Sequence, residues 1–478
     1  MKRRSYGLIF LLFSGLFLLP ISGKGKTEVT GIWQGMLSIS GTNLRIVFKI
    51  SRDSLGALTA TMDSPDQGAT NIPVSKVLLE GNKIKMEVGV AKGIFEGTIN
   101  PDFSTIEGEW KQGGLSLPLT LKRVKKTPEI IRPQEPKKPY PYIEEEVVYE
   151  NKEAGIKLAG TFTRPKSSGP FPTVLLISGS GPQDRNETVF GHKPFLVIAD
   201  YLTRRGIAVL RVDDRGVGKS TGSFKGATSE DFASDVLAGI NYLKSRKDVD
   251  KGKIGLIGHS EGGIIAPMVA VRSPDVAFIV MIAGPGIPGD SLLLLQAATI
   301  GRAGGASEEE IKKNRDLQVR IFDVVRNEKD NKIAERKLKK IFEDAVAEMN
   351  EKERASISEE SINAQIKQVL SPWFRFFITY DPEPTLEKVK CPVLAVNGEK
   401  DLQVPPEENL NAIVDALKAG GNRNYTVKEL KGLNHLLQPA KTGSPAEYSK
   451  IEETISPTAL KVIGDWILKQ TKGFSLGH

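Results

Sequence analysis

A short apolar run at residues 253–257 passes directly into Gly258-His259-Ser260-Glu261-Gly262. An apolar, helix-like stretch, 264–271, follows at once. Few arrangements satisfy this order. A buried strand must end, the chain must reverse within five residues, and a helix must start against the strand it has just left. Glycines flanking the serine let helix and strand approach closely, and the sharp turn lifts the serine hydroxyl clear of the sheet. The new helix N-terminus puts positive partial charge beneath any anion that develops there. Gly-x-Ser-x-Gly alone is a weak signal. Set between strand and helix, it predicts an activated serine at Ser260.

The neighbouring segments repeat the pattern. Residues 173–177, 206–212, 276–282 and 392–396 are short and almost wholly apolar, as suits parallel strands buried on both faces. Between them Phe232, Val236, Ile240 and Leu243 mark one face of a helix, and Thr228 with Asp231 predicts its capping box. The alternation predicts an α/β fold, a doubly wound and mostly parallel sheet, over residues 143–287 and 386–478. Residues 288–385 interrupt it with Lys, Glu and Arg mixed among Ile, Leu and Val at helical spacing, which predicts an inserted helical cap.

The preceding part differs. Residues 125–142 carry Pro128, Pro133, Pro136, Pro139 and Pro141 and read as an extended, semi-rigid linker. Residues 24–124 alternate with period two, as in Leu44, Ile46, Phe48 and Ile50 and again in Ile84, Met86, Val88 and Val90. Turn residues separate these runs, so a small all-β barrel or sandwich is expected, with Trp33 and Trp110 in its core. Residues 1–23 place Lys2, Arg3 and Arg4 before an apolar core and a Pro-Ile-Ser-Gly break, the order of a signal peptide. Export to a periplasm or beyond is the expectation. The apolar core is too short to span a bilayer, and after cleavage no run long enough for a stable membrane span remains. The single cysteine, Cys391, excludes an intrachain disulfide and a lipid anchor behind that core. The net charge of +8 is mild over 478 residues and lacks long basic runs, so no nucleic-acid partner is expected.

A serine nucleophile needs a base, and only four histidines exist: His192, His259, His435 and His478. The base comes last in the Ser…Asp…His order of such folds, which selects His435, just after the apolar end of the strand at 425–430. Its orienting carboxylate belongs on the exit of the preceding strand, where Asp401 is favoured over Glu399. His259 and His192 are given structural or supporting roles. An oxyanion hole needs two N–H donors. One is the backbone of Glu261, and the other comes from Ser178-Gly179-Ser180-Gly181-Pro182, with the N–H of Ser180 favoured over Gly179 and Gly181. Gly216-Val217-Gly218-Lys219-Ser220 ends like a phosphate loop, but Asp213 stands where that pattern needs glycine.

Ser178 to Asn186, Asp213 to Ser220, the serine turn, Asn397 to Pro405 and Asn434-His435 together resemble the α/β-hydrolase superfamily. The chain is most similar there to exported bacterial serine esterases of the serine-aminopeptidase-like group. Ser178 departs from the histidine such enzymes often carry at that place. The resemblance implies hydrolysis of a small-molecule acyl ester through an acyl-enzyme on Ser260, His435 and Asp401, with no metal or cofactor. It also implies that the cap roofs the pocket and that Trp373, Phe374 and Phe377 bind the acyl group. A serine aminopeptidase using the same triad, or a binding protein with an inert site, are the alternatives.

Overall fold

The computed structural model describes residues 28–472 apart from 40–41, 68, 114, 127–131, 351–353 and 355–356. The expected signal peptide, Pro128 and His478 lie outside the described residues. Two compact units form. Of the described residues, the first contains those before Arg132 together with Val189–Gly191 and Glu335–Lys367. The second contains Arg132–Thr188, His192–Ala334 and those from Gln368 onward.

The first unit holds an antiparallel sheet of β1 (Gly31–Ile39), β2 (Thr42–Arg52), β3 (Leu58–Ser64), β4 (Ala69–Pro73), β5 (Lys76–Glu80), β6 (Lys83–Val88), β7 (Gly93–Ile99), β8 (Thr105–Gln112) and β9 (Leu115–Val124). Their order is β4-β3-β2-β1-β9-β8-β7-β6-β5. The two edge strands, β4 and β5, are joined by only Val74 and Ser75, so the sheet must curl until its edges meet. Val74 N–H donates to the Ala60 carbonyl at 3.1 Å and Ser75 N–H to that of Glu87 at 2.7 Å. The period-two residues turn inward, and Trp33, Phe48, Phe95 and Trp110 fill the interior. Val90 does not join them. β6 ends at Val88, and Val90 lies exposed in the following turn.

The second unit is the doubly wound, mostly parallel sheet. Its strands are β10 (Ile143–Asn151), β11 (Ile156–Arg164), β12 (Phe171–Ile177), β13 (Ala208–Val212), β14 (Val249–His259), β15 (Val276–Ile282), β16 (Val393–Gly398) and β17 (Tyr425–Leu430). They run in the order β10-β11-β13-β12-β14-β15-β16-β17. Both faces are buried, as β12 shows: Val174 and Leu176 join one core and Leu175 and Ile177 the other. Helices α1 (Pro194–Thr203), α2 (Ser229–Ser245) and α3 (Gly262–Ala270) alternate with the strands. At the start of α2 the Asp231 carboxylate accepts the Thr228 N–H at 2.8 Å, as the capping box requires. The chain moves from β12 out to β13 and then back past β12 to β14. This reversal leaves the exits of β12 and β14 side by side, with Ile177 paired to Gly258. Clefts form at such switch points.

The residues expected as one cap form α4 (Gly289–Ala303), α5 (Glu308–Asn327), α6 (Asn331–Ala347), α7 (Glu359–Val369), α8 (Pro372–Thr379) and α9 (Glu383–Leu386). They do not stay together, because Glu335–Lys367 groups with the first unit. The second half of the expected linker is not a free spacer either. Arg132 donates to the carbonyls of Ser449 and Ile451, and Gln134 Oε1 accepts the N–H groups of Thr454 and Ile455. Prolines keep such a segment extended, but the polar residues between them fasten it to the unit. Helices α10 (Pro406–Ala419) and α11 (Pro457–Thr471) complete the fold. Among the described residues no helix is long and apolar enough to cross a membrane.

Candidate active site

Ser260 sits between β14 and α3 with φ +53°, in the left-handed region that side chains rarely adopt. The turn is held by backbone bonds: Ser260 N–H donates to the Ile282 carbonyl at 2.9 Å, and Gly263 N–H to that of Ser260 at 2.8 Å. The flanking glycines are demanded by close approach. A Cβ on Gly258 would lie 1.9 Å from the Gly262 carbonyl oxygen, and one on Gly262 would lie 2.2 Å from that of Ile177.

The expected base and acid come from neighbouring strands, since β16 and β17 pair in parallel through Gly398 and Leu430. His435 Nδ1 lies 2.8 Å from Asp401 Oδ2. The other carboxylate oxygen, Oδ1, accepts the N–H groups of Gln403 at 2.8 Å and Val404 at 2.9 Å. Both residues are buried. Glu399 is exposed and accepts the Gly432 N–H instead. The structure therefore pairs His435 with Asp401 and not with Glu399.

The loop after β12 reaches the serine. A Cβ on Gly179 would come within 3.2 Å of Ser260 Cβ. The Gly179 N–H donates to Glu187 Oε1 at 2.7 Å and is therefore taken, whereas Ser180 is exposed. Ser178, the residue that departs from the resemblance, donates its hydroxyl to Asp214 Oδ1 at 2.7 Å, and Asp214 Oδ2 accepts the Gln183 N–H. Burial pushes the Asp214 carboxyl up to about 8, with the Glu187 and Glu261 charges adding to it. A cavity of about 50 Å³ lies behind this turn, walled by Leu175, Ile177, Phe232 and Ile265. It has room for a few water molecules and not for an acyl chain.

Glu261 was singled out for its backbone, yet its side chain also matters. Its buried carboxyl, pushed up by burial, accepts Ser229 Oγ at 2.6 Å and the Trp373 indole N–H at 2.9 Å, both on Oε1. Trp373 thus ties α8 to the serine turn. Of the other expected substrate-binding aromatics, Phe374 faces Phe322 at 5.9 Å and Phe377 stacks on Trp373 at 5.1 Å. Both are buried. They are three residues apart, so they share a helix face, and that face packs within the unit. Replacing Trp373 by Phe keeps an aromatic ring against Phe377 and removes the N–H donor together with part of the ring's volume. This should cost roughly 1–3 kcal/mol of stability, read as a lower urea midpoint at unchanged slope. An unchanged midpoint would mean that neither the bond to Glu261 nor the lost ring contributes to stability.

The other described histidines, His192 and His259, are buried and engaged. His192 holds Thr454 Oγ1 and the Tyr448 carbonyl, each at 3.0 Å, and burial, with the Arg132 charge adding to it, lowers it to about 4. His259 lies between Glu187 Oε1 at 2.9 Å and the His435 carbonyl at 3.2 Å. Sequence reasoning gave no role to Glu187 or Asp214, although both lie in or beside the segments that carry the resemblance, and the only hint was that a histidine buried in the serine turn needs a partner. The phosphate-loop-like segment is structural, because Ser220 Oγ donates to the Asp213 carbonyl and accepts the Ala159 N–H.

Residues 128–431, well over half of the chain, match the model of the X-Pro dipeptidyl-peptidase (S15) family. Esterase EstD of Thermotoga maritima is 28% identical over 367 residues, 76% of each protein. An uncharacterized 31.7 kDa protein of Escherichia coli is 27% identical over 277 residues, 56% of this chain and 85% of that one. Among solved structures, an esterase of Pyrococcus furiosus is 15% identical with a TM-score of 0.41, covering 72% of this chain and 99% of that one. The chain is a serine hydrolase of the esterase and S15-peptidase type, and it belongs to the X-Pro dipeptidyl-peptidase (S15) family.

Proposed function

We propose that the chain is a serine esterase that cleaves small carboxylic esters through an acyl-enzyme intermediate. Ser260 Oγ attacks the carbonyl carbon. His435 Nε2 takes the serine proton and returns it to the departing alkoxide, while Asp401 holds Nδ1–H and steadies the imidazolium. The amides of Ser180 and Glu261 receive the oxyanion. Water then attacks the acyl group in the same way and frees the acid. The observation that carries the proposal is the His435–Asp401 bond of 2.8 Å, made at neighbouring strand exits in the unit that also carries the strained serine turn. The relative from Thermotoga maritima, named an esterase, supports an ester substrate.

The family model's own description favours a second reading, in which the same residues cleave the amide after proline in an X-Pro peptide. One experiment separates them. p-Nitrophenyl esters from acetate to laurate and an X-Pro p-nitroanilide are given to the same preparation. Esterase activity exceeding amide cleavage is expected, with the best chain length sizing the acyl pocket. Efficient anilide cleavage with feeble ester turnover would overturn the assignment in favour of the peptidase.

A further inference from the structure

Behind the serine lies a second histidine–carboxylate pair that the mechanism above does not use. His259 and Glu187 are 7% and 3% exposed. Glu187 has φ +52°, a strained conformation for a residue that carries a side chain. Its Oε1 accepts two hydrogen bonds, from the Gly179 amide at 2.7 Å and from His259 Nδ1 at 2.9 Å. The other ring nitrogen, Nε2, faces the His435 carbonyl at 3.2 Å. Both nitrogens therefore face oxygens that accept. A carbonyl never donates, and the Glu187 oxygen is already engaged as an acceptor. A neutral imidazole has one donor and one acceptor, so it satisfies only one of these contacts; an imidazolium satisfies both. His192 shows the contrast. One of its nitrogens meets a carbonyl, but the other meets the Thr454 hydroxyl, which can donate, so the neutral ring fits.

We propose that His259 is held as a permanent imidazolium paired with Glu187, and that the pair is a positioning unit fixing the oxyanion loop and the base loop together. The proposal rests on the assignment of Ser260 and His435 as nucleophile and base. One end of the pair fixes the Ser178–Gly179 peptide, one residue before the Ser180 amide, through the Gly179 N–H. The other fixes the backbone of the base itself. The His259 and His435 rings stand 4.9 Å apart. When His435 takes the serine proton, two imidazolium rings lie side by side, each neutralised by its own carboxylate, Glu187 or Asp401. Burial alone would strip the proton from His259, but the Glu187 charge and hydrogen bond overcome it and raise its affinity for the proton.

Glu187→Gln tests this with little change of shape. If the amide oxygen replaces Oε1, the Gly179 and Nδ1 bonds survive, but His259 loses its counter-charge and a neutral ring turns a lone pair on the His435 carbonyl. If the amide nitrogen stands there instead, the Gly179 N–H loses its acceptor. Either way one end of the clamp opens. The expected result is a kcat lower by about 10- to 100-fold on p-nitrophenyl acetate, with KM within about twofold. A variant that loses only thermal stability and keeps the wild-type kcat would overturn the positioning role. Charge is read directly by ¹⁵N-histidine NMR of the full chain, with His259→Gln assigning its signals. Two ring N–H protons and imidazolium nitrogen shifts at neutral pH are expected for His259, and a neutral tautomer would overturn the proposal even if Glu187→Gln fails to fold. The spectrum is recorded in wild type and in Ser260→Ala, so it decides the charge whether or not Ser260 is the nucleophile. Ser260→Ala retaining full ester activity would refute the esterase mechanism separately.

Discussion

Ser260→Ala should lower kcat for p-nitrophenyl esters by about 10⁵- to 10⁶-fold, while leaving residual catalysis of roughly 10³–10⁴ over water from the oxyanion donors and substrate binding. The size follows from what is removed. Without Oγ there is no nucleophile to split ester cleavage into two easier steps, and His435 has no proton to take. The fold should not suffer. Alanine and serine share the Cβ that makes φ +53° uncomfortable, so the strain is unchanged. The hydrogen bonds that hold the turn run from Ser260 N to Ile282 O and from Gly263 N to Ser260 O, and both are backbone. Thermal unfolding of the variant should match wild type, and a serine-directed phosphonate should label wild type alone. Ester turnover near the wild-type rate in a folded Ser260→Ala would remove the serine mechanism altogether.

The strands and the serine turn were legible in the sequence because their physical requirements are local. A strand buried on both faces must be apolar at nearly every position, so 173–177 and 276–282 announce themselves. Gly258 and Gly262 follow from two backbones that would collide with any Cβ. The pairing of His435 with Asp401 also needed little more than strand order, since consecutive parallel strands bring their exits together. What could not be read depends on partners far apart in the chain. Glu187 and His259 are 72 residues apart and meet only because β12 and β14 are neighbours across the switch point. The Trp373–Glu261 bond spans 112 residues and joins a cap helix to the serine turn. Phe374 and Phe377 were expected at the acyl pocket from the family resemblance; both are buried, and apolar packing within a unit uses the same residues, so an aromatic run in the sequence does not separate the two roles. The division of the cap at Glu335 was equally hidden, because helical periodicity reports that a face is covered and not what covers it.

Asp401→Asn should cost about 10⁴-fold in kcat, far more than an isosteric change would suggest. The hydrogen bonds explain why. Asp401 Oδ1 accepts two backbone N–H groups, those of Gln403 and Val404. An asparagine must present its carbonyl oxygen to those two donors, since its amide nitrogen would meet them donor to donor. The NH₂ group is then forced onto the Oδ2 position, 2.8 Å from His435 Nδ1. Nδ1 must accept, so the ring proton moves to Nε2, the nitrogen that should take the proton from Ser260. The base is present, well placed and in the wrong tautomer. The lost negative charge adds to this, because the imidazolium that forms during turnover no longer has its carboxylate. Glu399→Gln is the matched control. Glu399 is exposed and accepts only the Gly432 N–H. A glutamine oxygen can do the same, so kcat should stay within about twofold of wild type, as for most changes at exposed positions. The comparison is made with p-nitrophenyl butyrate on folded variants. An Asp401→Asn enzyme within about tenfold of wild type, or a Glu399→Gln enzyme that loses as much, would show that the orienting carboxylate is not Asp401.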